Sequence, residues 1–120
     1  MLTGSGGGND IASSAEAVVV TTLHAPARLP ETVEFVTSPG HRVRAIVTDR
    51  AVLERLDPRG EFTLTGVLDR GGAKDDLVHA AVEACGWPLA VADNVELFGP
   101  VNGQELAAIR TYDPTGNFVL

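Results

Sequence analysis

Residues 43–56 read VRAIVTDRAVLERL. Val43–Thr48 and Ala51–Leu56 are apolar pieces on either side of Asp49-Arg50, and each reads as a strand. Asp57-Pro58-Arg59-Gly60 follows as a turn, since proline fixes φ and glycine frees it. Glu61–Val67 then alternates inward and outward as a half-buried strand does. At Ala73 the period changes. Leu77, Val78, Ala81, Val82 and Cys85 recur at three- and four-residue steps, which places them on one face of a helix expected over 73–85. Asp75 and Asp76 stand in its first turn, where they favour the exposed amides. Gly86 suits the C′ position.

Upstream, Ala17–Thr21 (AVVVT) is a continuous β-branched run and reads as a buried strand. Ile11–Ala15 has room for about one helical turn after Asp10, a candidate N-cap. Pro26 and Pro30 exclude regular structure from LHAPARLP. ETVEFVTSPG (31–40) alternates weakly and ends in a turn. Downstream, Trp87–Ala92 is a short strand candidate and Gln104–Arg110 a short helix, ended by the turn DPTGN. The expectation is one α/β domain of roughly six strands and two or three helices.

Composition narrows the function. A formal charge of −7 disfavours a general nucleic-acid or anionic-membrane surface. Cys85 is the only cysteine, which excludes an intrachain disulfide and a thiolate metal cluster. No stretch has the basic start of a secretory leader or reaches eighteen apolar residues, so a cytoplasmic protein is expected.

Candidate sites are few. The opening Gly4-Ser5-Gly6-Gly7-Gly8-Asn9-Asp10 lacks the lysine and hydroxyl of a Walker A loop. It also misses GxGxxG, because Asn9 takes the sixth position. Its amides suit either a tight turn or a carboxylate, thioester oxygen or phosphate. His24, His41 and His79 are far apart in sequence, and His79 is expected to pack or face solvent. Cys85 reads as a small buried hydrophobe. Arg42 and Arg44 alternate with Val43 and would share a strand face, either solvated or meeting an anion. Asp49 and Glu54 show no acid/base spacing, and no metal-ligand spacing occurs.

Taken in order, GSGGGNDIASSAEAVVV, VEFVTSPG with VRAIVTDRAVL, and VADNVE with ELAAIRTYDPTGNF resemble the second half of the beta subunit of family I coenzyme A transferases, the glutaconate and 3-oxoacid group. The resemblance covers essentially all of residues 1–120. It implies a three-layer α/β fold like that of the coenzyme A transferases and sugar-phosphate isomerases, here a partial domain without its N-terminal half. It further implies coenzyme A thioester as substrate, a carboxylic acid as co-substrate and no tightly bound cofactor. Gly4, Gly6, Gly7, Gly8, Asn9 and Asp10 then match the loop beside the acyl-CoA.

In the family a glutamate attacks the thioester, and that residue belongs to the first half of the subunit. None of the chain's glutamates, from Glu16 to Glu105, matches its place, so no catalytic residue is assigned. The resemblance therefore implies an alpha subunit or an upstream portion as partner, together with self-association. A related subgroup without the glutamate opens rings of acyl-CoA intermediates in steroid degradation and shares these motifs. A non-catalytic structural or ligand-binding remnant is the third reading. The chain departs from the family at VLDRGGAKDD (67–76), where a His-Pro-Gly turn is usual.

Overall fold

The computed structural model describes residues 6–116. Its elements run α1 (Gly7–Ser14), β1 (Val18–Thr22), β2 (Val43–Thr48), β3 (Ala51–Glu54), β4 (Thr63–Leu68), α2 (Lys74–Glu83), β5 (Ala90–Phe98) and α3 (Gly103–Tyr112). The strands form one mixed sheet in the order β1-β2-β3-β4-β5. β1 pairs with β2 and β4 with β5 in parallel, while β3 runs antiparallel to both its neighbours.

The β2–β3 hairpin turns at Asp49-Arg50, as expected, but not by the usual left-handed turn residues. Among the described residues no non-glycine has positive φ. The Thr48 hydroxyl holds the turn instead, accepting the N–H groups of Arg50 at 3.1 Å and Ala51 at 2.8 Å. This is a side chain replacing a backbone turn bond.

Ile46 lies opposite Leu53 and Leu53 opposite Leu64, so the three share a face. On that face Leu53, Leu64, Val67 and Ala51 are fully buried, with Leu29, Ala81, Leu89 and Val95 completing the core. α2 packs there against β4, and its stripe of Leu77, Val78, Ala81, Val82 and Cys85 meets this cluster as expected. Cys85 itself is half-buried.

Several expectations need correction. β1 is not a buried strand. It lies at the sheet edge with Val19 60% exposed. Residues 31–40 form no strand, and Val33, Phe35 and Val36 face solvent. β3 stops at Glu54. The candidate strand 87–92 is in fact β5, which starts later and runs on to Phe98. Asp93-Asn94 resembles a break, yet the strand absorbs it in a bulge: Leu64 pairs with Val91 but Gly66 with Glu96. The sheet therefore has five strands rather than six.

Gly86 is not a helix C′ residue, since α2 has Ala84 as its C-cap. A Cβ on Gly86 would lie 2.3 Å from the Leu29 carbonyl oxygen. The glycine is there because two chain segments touch, with Gly86 N–H donating to Leu29 O at 2.9 Å. No described helix is long and apolar enough to cross a membrane.

Candidate functional site

The glycine run is the first place to test. Gly4 lies outside the described residues. Gly6 is the N-cap of α1, with φ 49° and ψ −122°. Gly7, Gly8, Asn9 and Asp10 are not a loop before a helix; they are its first turn, and Asp10 is not the cap. The Gly6 carbonyl accepts from Asn9 N–H at 3.0 Å and Asp10 N–H at 3.3 Å. The amides of Gly7 and Gly8 precede the first intrahelical bonds, as at any helix start. No described neighbour stands within 4 Å of a Cβ placed on Gly6, Gly7 or Gly8. Internal packing thus does not require these glycines, and only Gly6 has a backbone that requires one. What remains is an exposed helix start with no described neighbour packed over its glycines.

The opposite end of the sheet holds a polar cluster that sequence reading missed. His24, only 4% exposed, sits just past β1. Its Nε2 lies 2.9 Å from the Ala81 carbonyl, and its Nδ1 lies 3.0 Å from Thr48 Oγ1. A carbonyl only accepts, so Nε2 carries the proton. The ring therefore joins the exit of β1, the β2–β3 turn and α2. The His24 backbone N–H donates to Asp49 Oδ1 at 2.7 Å, and Asp49 Oδ2 pairs with Arg70 at 3.1 Å. These contacts are architectural. The available signal was a histidine shortly after a β-branched run together with the Thr48-Asp49 pair, but their adjacency needs the parallel β1–β2 register.

The His24 N–H bond is the largest influence holding the Asp49 carboxyl below its ordinary value of 3.8; further hydrogen bonding and the Arg70 charge lower it too, while burial opposes them. A carboxyl depressed in the folded state contributes stability that is present above the unfolded value and lost as pH falls through the folded one. Asp49→Asn is therefore expected to cost stability at neutral pH, with a difference that shrinks below about pH 4. Thermal melts of both proteins across that window provide the check. A difference independent of pH contradicts the assignment.

Other candidates disperse. Arg42 Nη1 donates to the Ala15 carbonyl at 2.7 Å, whereas Arg44 is exposed, so no shared anion face forms. Glu54 accepts from the Thr65 hydroxyl at 2.7 Å. His79 is a surface residue, 3.2 Å from Glu83 one helical turn on. Among the described residues no three metal-ligating side chains converge.

No protein-family model matches the chain, and no curated protein matches it. Solved structures do. Glutaconate coenzyme A-transferase from Acidaminococcus fermentans superposes with a TM-score of 0.79 at 24% identity, covering 99% of this chain and 50% of that one. The decarboxylase AibA/AibB gives a TM-score of 0.74 at 21% identity, covering 97% and 46%. The chain has the mixed α/β fold of the family I coenzyme A transferases. It spans about half the length of the solved chains it matches.

Proposed function

We propose that the chain is the C-terminal portion of a coenzyme A transferase of the beta-subunit type, acting on an acyl-CoA and a carboxylic acid in concert with an upstream portion or an alpha subunit. The superposition over 99% of the chain carries this reading. The AibA/AibB match shows why fold alone is not enough: that protein is a decarboxylase. The ordered motifs GSGGGNDIAS, VTSPG and VTD add what the fold lacks.

Incomplete burial supports the need for a complement. Ala45, Val47 and Val52 lie on the sheet face opposite Ile46 and Leu53, and Val19 pairs beside Ala45. α3 buries none of its residues, though its Asn102–Glu105 capping box fixes its start. The radius of gyration is 15.9 Å, against about 13.6 Å for a compact chain of this length. A further layer, supplied by the complement or by self-association, would complete a three-layer fold in a cytoplasmic enzyme. At the site, the α1 amides of Gly7 and Gly8 would receive charge developing on the thioester oxygen, with Gly4, Gly6, Asn9 and Asp10 shaping the approach.

Gly7→Ala and Gly8→Ala test the site in the complemented complex. Both positions are helical and unobstructed, so stability should hold or rise by about 0.5–1 kcal/mol. Turnover per folded molecule should fall because the added methyl crowds the acyl group's approach to amides that stay in place, by as much as the roughly 100-fold that a substrate misplaced by about 1 Å costs. Unchanged turnover in both variants removes α1 from the active site.

A further inference from the structure

A cleft of about 530 Å³ opens at the sheet end where β3 finishes and β4 begins. That volume lies within the range of small-molecule sites. Pro30, Phe62, Trp87 and Pro88 form apolar walls, and Arg55 supplies the cation. The Arg55 guanidinium lies over the Phe62 ring, 4.6 Å from its centroid.

The walls are fixed before any ligand arrives. Pro30 bridges to Gly86, which holds the 29–31 segment against the chain leading into Trp87. The 57–60 turn is closed by Gly60 N–H on Asp57 O and Arg59 N–H on Asp57 Oδ1, each at 2.9 Å. Arg55 N–H donates to Arg44 O at 2.9 Å, which anchors the arginine to β2.

The guanidinium is under-used. It makes one long hydrogen bond, Nη1 to Gly40 O at 3.3 Å. Among the described residues no carboxylate pairs with it. A planar fork with unspent donors, stacked on a ring, matches a carboxylate. Glu31 and Glu61 also line the cleft, and both residues are exposed. Water screens them, so they weaken a single negative charge only modestly while opposing polyanions such as nucleotide phosphates.

We propose that this cleft binds a small monocarboxylic acid with a flat or compact apolar body, its carboxylate on Arg55 and its body between Trp87, Phe62 and the two prolines. The inference stands apart from the transfer reading, because it concerns binding by this chain alone.

Trp87 is the only tryptophan, so intrinsic fluorescence reports on the cleft directly. Phenylacetate, phenylacetamide and phenethylamine would each be titrated into the 120-residue protein, with phenylacetyl-CoA as a fourth arm. Phenylacetate should give a saturable change, and the three others should bind at least about ten-fold more weakly. Arg55→Gln should abolish the preference for the acid, Arg55→Lys should keep part of it, and Glu61→Gln should tighten acid binding at low salt. Far-ultraviolet melts establish that each variant is folded, and Arg55→Lys decides the matter if Arg55→Gln is not. Equal binding of acid and amide, tighter binding of the amine or the thioester, a preference that survives undiminished in folded Arg55→Gln or folded Arg55→Lys, or no saturable response to phenylacetate overturns the proposal.

Discussion

His24→Ala is expected to lower stability by about 2–4 kcal/mol, enough to shift the midpoint of a domain this size by roughly 10–20 °C. The ring is buried and joins three elements that are distant in sequence. Its removal leaves the Ala81 carbonyl without this donor and the Thr48 hydroxyl without its ring partner, and it opens a cavity beside α2. Thr48 compounds the loss, because the same hydroxyl holds the β2–β3 turn. His24→Gln should recover part of the stability, since its amide is able to donate toward Ala81. Chemical denaturation of the three proteins reads the effect. A loss below about 0.5 kcal/mol for His24→Ala would mean that the network is replaced by water at little cost.

Much of the sheet was legible because its central strands carry their burial in local pattern. Val43–Thr48 is read to the residue, and the α2 stripe meets the core as its spacing requires. The misreadings came where tertiary context decides. β1 has the composition of a central strand and sits at an edge. β5 contains Asp93-Asn94, and only the pairing with β4 shows that the strand continues through a bulge. Gly86 resembled a helix stop, but its reason is the Leu29 carbonyl more than fifty residues upstream.

The candidate site was legible only in part. The glycine run was visible, but not that Gly7 and Gly8 are already helical while, of the run's described glycines, only Gly6 takes positive φ. His24 stood out only as one of three scattered histidines, and the Arg55 cleft escaped altogether. Each depends on residues brought together from separate segments, and neither leaves a local spacing. The family resemblance succeeded at the level of fold because it rested on the order of several motifs along the whole chain.

Coenzyme A transfer by this chain is proposed to require a complementary portion. Covalent transfer needs an activated nucleophile, and the family resemblance implies that this nucleophile lies outside residues 1–120. The direct measurement follows exchange of coenzyme A between acetyl-CoA or succinyl-CoA and free carboxylates by mass spectrometry. It compares the purified chain with the chain co-purified with a transferase alpha subunit and an upstream half carrying the glutamate. The account predicts no exchange by the chain alone and clear turnover by the complex. Robust turnover by the isolated 120-residue protein contradicts it, and so does a stable complex that only adds water to acyl-CoA or does nothing at all.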